Sequence, residues 1–167
     1  MEYIRRIVDD ELDIRSQAFN AINIIGPKGC GKTRTAKERC NTIIEFQDEE
    51  RREGYMAVAE TNPKLLFNNS KPILFDEWQD APKLWGAIRK DCDDNPDSIG
   101  EYYLTGSSSK KVDTPHTGTG RISEMIMYPM TYYETRESTG HMSTPQANIV
   151  VRCVTGQTIS RDLGRNR

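Results

Sequence analysis

The sequence predicts an α/β fold in three layers: a mostly parallel sheet covered on both faces by helices. Three observations carry this prediction. Short, nearly continuous apolar runs recur at residues 21–25, 73–75, 102–104 and 125–130. Stretches between them repeat their apolar residues at helical spacing, as in Leu84, Trp85, Ile88 and Cys92. A glycine-rich string, Gly26-Pro27-Lys28-Gly29-Cys30-Gly31-Lys32-Thr33, joins the first run to a helical stretch. Strands that are apolar at consecutive positions are buried on both faces, and parallel neighbours need crossover helices to supply that cover.

Taken in order, residues 3–15 place Tyr3, Ile4, Ile7, Val8 and Leu12 as an amphipathic helix or a packed lead-in segment. Residues 21–25 are a buried strand. After Thr33, Ala36, Cys40, Ile43 and Ile44 make one apolar helix face. The charged run 47–54 is a surface helix end or loop, and 55–58 a short strand. Asn62-Pro63 marks a turn before a short helix through Phe67. Residues 73–75 form a strand that ends abruptly in Asp76-Glu77. Asp80 and Pro82 announce the next helix, which Asp93-Asp94-Asn95-Pro96-Asp97 terminates. Tyr102-Tyr103-Leu104 is a third strand with Thr105 at its end. Residues 109–120 read as a polar loop, and 125–130 as one more strand. Ile149-Val150-Val151 suits a strand, and 161–167 reads as disordered.

The chain has 167 residues, enough for one domain with a real core. Charged residues are 29% and apolar residues 35%, a balance that points away from a membrane protein. No apolar run has the length of a membrane span, and the first residues lack a signal-peptide core. A cytoplasmic protein is the expectation. The formal net charge of -2 does not announce a nucleic-acid binder. The charge is uneven, however: four arginines face one aspartate after residue 143. The cysteines, Cys30, Cys40, Cys92 and Cys153, form no C-x-x-C pair, so reduced thiols are expected rather than a zinc site.

The glycine-rich string is a complete Walker A phosphate-binding loop. Phosphate oxygens must be met by several converging backbone N–H groups, which glycines allow by removing the Cβ atoms that would intervene. The loop then delivers the phosphates to a helix N-terminus, where free N–H groups favour negative charge. Gly26, Pro27, Lys28, Gly29, Cys30, Gly31, Lys32, Thr33 and Arg34 are the expected nucleotide contacts. Lys32 is read as reaching the terminal phosphates, and Thr33 as a ligand of Mg2+. The bland alternative is a glycine-rich turn with a chance lysine.

The run Ile73-Leu74-Phe75-Asp76-Glu77 has the form of a Walker B strand, and its Asp76 lies 44 residues beyond Lys32. Asp76 would hold the Mg2+ shell, and Glu77 would polarise the attacking water. Thr105 is read either as a sensor of the γ-phosphate or as an ordinary turn threonine. Arg121, after Gly118-Thr119-Gly120, is read as a group that stabilises transferring phosphoryl charge, in cis or from a neighbouring subunit, against a surface ion pair. Arg89 is a weaker candidate for that role. Trp78 and Trp85 are read as core or interface anchors. The Asn-Lys-x-Asp string of guanine-specific enzymes is absent from the sequence, which favours ATP.

These segments form an ordered series. The Walker loop is followed by Phe75-Asp76-Glu77-Trp78-Gln79-Asp80-Ala81-Pro82-Lys83-Leu84-Trp85, by Leu104-Thr105-Gly106-Ser107-Ser108, by His116-Thr117-Gly118-Thr119-Gly120-Arg121-Ile122, and by Met127-Tyr128-Pro129-Met130. Over roughly residues 3–143 the series resembles prokaryotic AAA+-like ATPases that join an N-terminal P-loop domain to a C-terminal domain of unknown function. The resemblance implies a three-layer P-loop NTPase fold, ATP with Mg2+, and hydrolysis to ADP and phosphate. It also implies a homo-oligomer if Arg121 acts in trans, and leaves any DNA or protein partner open. Gly86 departs from the acidic residue usual after the Leu-Trp pair. After Ser143 the family pattern stops, and 144–167 is expected to be the divergent tail of a truncated or frame-shifted second domain. A small P-loop kinase and a nucleotide-binding regulatory module without turnover are the alternatives.

Overall fold

Among the described residues five strands, β1 (Ala21–Gly26), β2 (Thr42–Glu45), β3 (Ile73–Asp76), β4 (Tyr102–Ser107) and β5 (Ile122–Ile126), pair in the order β2-β3-β4-β1-β5. Every pairing is parallel. This computed structural model describes residues 2–107 and 120–135. Four helices accompany the sheet: α1 (Val8–Ser16), α2 (Lys32–Lys37), α3 (Arg52–Thr61) and α4 (Lys83–Asp94). Two short 3-10 helices, Pro63–Asn68 and Trp78–Asp80, complete the connections.

The three layers follow from the two-residue period of a strand. In β3, Ile73 and Phe75 point to one face and Leu74 to the other, and all three are buried. The first face packs Ala21, Ile44, Phe46, Tyr102 and Leu104 against Ala59 of α3, the Pro63–Asn68 turn, and Leu84, Trp85, Ile88 and Cys92 of α4. The second packs Ile22, Ile24, Leu74, Tyr103 and Met125 against Leu12 of α1 and Ala36 of α2. Phe75 lies at the centre of the first face, with its ring 6.0 Å from Phe67, 6.3 Å from Tyr102 and 6.5 Å from Phe46. Truncating such a ring to alanine costs about 3–5 kcal/mol. Burial, followed by a hydrogen bond to Asp91 at 2.6 Å, pushes the Tyr102 phenol far above its ordinary range.

Several expected elements shift. Ile43 and Ile44 belong to strand β2, because α2 stops at Lys37 and the β-branched Thr42-Ile43-Ile44 pairs with β3. Residues 55–58 lie inside α3, where Tyr55, Met56 and Val58 pack against the core as one side of a helix. The last strand begins at Ile122 and ends at Ile126, earlier than its apolar signal suggests. In the lead-in, the helix starts only at Val8. Leu12 is its buried apolar residue, whereas Ile4 and Ile7 are exposed. The sequence-based readings of 109–119, 149–151 and 161–167 lie outside the described residues.

β4 is inserted between the strand that ends in the phosphate loop and the strand that ends in Asp76. Its register pairs Thr105 with Asp76 on one side and Ser107 with Gly26 on the other. All three strands run the same way, so their carboxyl ends open onto one edge of the sheet. That crevice is where ligands sit in open parallel sheets.

Candidate functional site: a phosphate-binding edge

β1 hands the chain to the loop at Gly26. A Cβ there would lie 2.2 Å from the backbone oxygen of Met127, so glycine is required by the close passage of the segment after β5. Gly31 stands at φ 100°, and a Cβ there would also meet the Arg6 guanidinium at 3.3 Å. α2 starts at the next residue. Lys32 is buried, and its Nζ donates to the carbonyls of Gly26 at 3.1 Å and Pro27 at 3.0 Å. Its ammonium is thus held over the centre of its own loop. Cys30 is buried within the loop, Pro27, Lys28 and Gly29 are exposed, and Arg34 points outward to pair with Glu38 one turn on.

The second strand end meets this loop directly. Thr33 Oγ1 donates to Asp76 Oδ1 at 2.6 Å, and Thr105 Oγ1 donates to the same oxygen. Thr105 is wholly buried, and its hydroxyl also accepts the backbone N–H of Glu77 at 3.3 Å. One hydroxyl on β4 thus links both carboxylate residues. Glu77 adopts φ 55° and ψ 46°, the one non-glycine residue with positive φ among the described residues. A left-handed conformation costs an L-residue roughly 1–2 kcal/mol, and here it turns the chain out of the sheet immediately after Asp76. Gln79 Nε2 donates to Glu77 Oε2.

The hydroxyl of Thr33 and the carboxylate of Asp76 are hard oxygen donors already within hydrogen-bond distance of each other, a donor set that suits Mg2+. Thr33, Lys32, Asp76, Glu77 and Thr105 are therefore brought together. Arg121 is not. Its carbonyl accepts the N–H of Ala21, at the beginning of β1, and Ile122 is in register with that residue. The five steps of β1 separate it from Gly26 by about 17 Å. Its guanidinium pairs instead with Asp93 at 3.1 Å, both side chains over a third exposed. Arg121 thus stands at the edge of the sheet opposite the phosphate loop, because a parallel strand places its two ends on opposite edges. Arg89 sits half-buried along α4. Trp78 is a core anchor, stacked on Trp85 at 4.8 Å, with Nε1 donating to Asn23 at 3.1 Å.

One supporting group escaped the sequence reading. Arg6 is buried, and its guanidinium donates to Cys30 O at 3.0 Å, to Tyr128 O at 3.0 Å and to Glu134 Oε1 at 2.8 Å. It thereby ties the phosphate loop to the segment after β5. Burial alone would raise the Glu134 carboxyl. The Arg6 guanidinium and the N–H groups of Thr131 and Ile7 prevail and hold it at about 2. Nothing in the dipeptide Arg5-Arg6 marks one arginine as buried, and its partner lies 128 residues on. Burial pushes the Cys40 and Cys92 thiols each up to about 12, away from the thiolate form.

A five-stranded parallel sheet, a glycine loop entering a helix, and a strand-end carboxylate bonded to that helix's threonine define a P-loop nucleotide-binding protein. The family model described as "AAA domain" matches residues 18–136. The match spans more than half of the chain, which belongs to that family as an AAA-like, ATPase-type nucleotide-binding domain. Among curated proteins no match is found. Among the described residues no helix is long and apolar enough to cross a membrane.

Proposed function

We propose that this domain binds ATP with Mg2+ and hydrolyses it to ADP and phosphate. The observation that carries the reading is the shared hydrogen bonding of Thr33 and Thr105 to Asp76, with Glu77 next in the chain. Loop amides and Lys32 would hold the phosphates. To do so, Lys32 exchanges the Gly26 and Pro27 carbonyls for phosphate oxygens, a better partner for an ammonium. Thr33 and Asp76 would hold Mg2+, which supplies charge neutralisation on the phosphates. Glu77 orients a water toward the γ-phosphorus and accepts its proton as the P–O bond to ADP breaks. Thr105 keeps the Asp76 carboxylate and the Glu77 backbone in fixed relation.

Comparing ATP binding and turnover in the wild type, Lys32→Ala and Glu77→Gln tests this. Lys32→Ala is expected to lose binding. Glu77→Gln is expected to keep binding and lose roughly 100-fold or more in turnover, the share of a general base. Binding without turnover in the wild type would instead support a regulatory module. Phosphate transfer that requires an added acceptor would support a kinase, although the adjacent Asp76-Glu77 pair favours water as acceptor.

Arg121 is a candidate in trans, because its exposed position at the far edge of the sheet suits contact with a second copy. Turnover per chain that rises with protein concentration tests that assembly. A division of the chain near residue 143 and a cytoplasmic location belong to the same proposal.

A further inference from the structure

The Asp-Glu-Trp-Gln string holds a residue to which the hydrolytic reading assigns no task. Gln79 is 8% exposed and lies in the short 3-10 helix that follows Glu77. Its Nε2 donates to Glu77 Oε2, while its Oε1 is fully buried and has no hydrogen-bond partner among the described residues. The orientation of the amide is not arbitrary, because an ionised carboxylate only accepts and the nitrogen must therefore face Glu77. The amide gives its donor to Glu77 and leaves its acceptor unsatisfied, against the general rule that buried acceptors are paired. Gly106 on β4 makes room for this arrangement. A Cβ there would lie 2.9 Å from Gln79 Oε1 and 3.3 Å from Trp78 Nε1.

We infer that Gln79 is a positioning residue for hydrolysis, which sets the rotamer of the Glu77 carboxylate through the side-chain amide. This rests on the proposed role of Glu77. Glu77 leaves the sheet in a left-handed turn, so its carboxylate extends from a backbone fixed on one side by the Thr105 bond. Its own side-chain torsions need a second restraint, and Gln79 supplies it from two residues on. The restraint acts on one carboxylate oxygen and leaves the other for water. Gln79 thus works through Glu77, without contact to nucleotide.

The test is a mutant cycle read in both turnover and nucleotide affinity. Gln79→Ala, and the near-isosteric Gln79→Glu that cannot donate when ionised, are each expected to lower kcat roughly 10-fold, a fraction of what the base itself supplies. Affinity for a non-hydrolysable ATP analogue stays within error. In a Glu77→Gln background, Gln79→Ala is expected to add no further loss, because the two residues act as a unit. Unchanged kcat in both Gln79 variants overturns the inference, as does an equal loss of affinity, or full additivity with Glu77→Gln. A wild type that binds ATP without turning it over overturns the hydrolytic reading as well. Turnover that needs Glu77 and ignores Gln79 overturns this inference alone.

Discussion

The two edges of the sheet differ in how they treat charge. At the carboxyl edge, Lys32, Asp76, Gln79, Thr105 and Arg6 are buried, and hydrogen bonds within the chain hold each of them in place. At the amino edge, Arg121 and Asp93 meet as an exposed pair. Buried charges are costly without partners, so the first edge can persist only as a network. The Arg121–Asp93 pair has no such requirement and is free to serve a surface contact. The difference teaches that the position of an arginine relative to strand direction says more about its role than its place in a motif.

The largest effect that would break this contrast lies in Arg6. Arg6→Met is expected to destabilise the fold by about 3–5 kcal/mol in chemical denaturation, because it leaves Glu134 buried without its cation. A loss no larger than that of an exposed pair would show that the network is not needed. The same pair predicts a pH dependence. The Glu134 carboxyl is held at about 2 in the fold, against an ordinary value of 4.5. Its contribution is therefore complete above about pH 4.5 and is lost as pH falls toward 2. Melting temperatures across that window should fall more steeply for the wild type than for Arg6→Met. Parallel curves would remove Glu134 from the account.

Next in size is Thr105→Val, close to isosteric and silent in volume. It leaves the Glu77 N–H unpaired and removes one donor from Asp76. A stability loss of about 1–3 kcal/mol is expected, with turnover reduced beyond any change in ATP affinity. The smallest effect belongs to Arg121→Ala. An exposed ion pair contributes about 0–1 kcal/mol, so the melting curve and ATP binding should be unchanged. Turnover should fall only under conditions where copies associate. A loss of ATP binding in dilute Arg121→Ala would erase the distinction between the edges.

Legibility in the sequence followed burial on both faces. β1, β3 and the first half of β4 are central and apolar at consecutive positions, and their runs announce them. β2 lies at the sheet edge, and Ile43 and Ile44 at four residues long fit a helix face as well as a strand. Tyr55, Met56 and Val58 fail for the converse reason, since a short apolar run inside α3 mimics a strand. The loop glycines, Lys32, Thr33, Asp76 and Glu77 were readable because they stand at short, fixed spacings in the sequence. Gln79 stood in the quoted string, yet its bond to Glu77 depends on a left-handed turn that no spacing reveals.

The chain alone was enough to specify the phosphate loop, the acidic strand end and the α/β class, because glycine placement and apolar periodicity are local properties. Strand order decided everything that depends on which ends share an edge. Inserting β4 between β1 and β3 delivered Thr105 to Asp76, sent Arg121 to the far side, and let Arg6 reach Glu134 across 128 residues. Those are contacts between segments distant in sequence, and they exist only once the hydrophobic faces of the sheet have been buried from both sides.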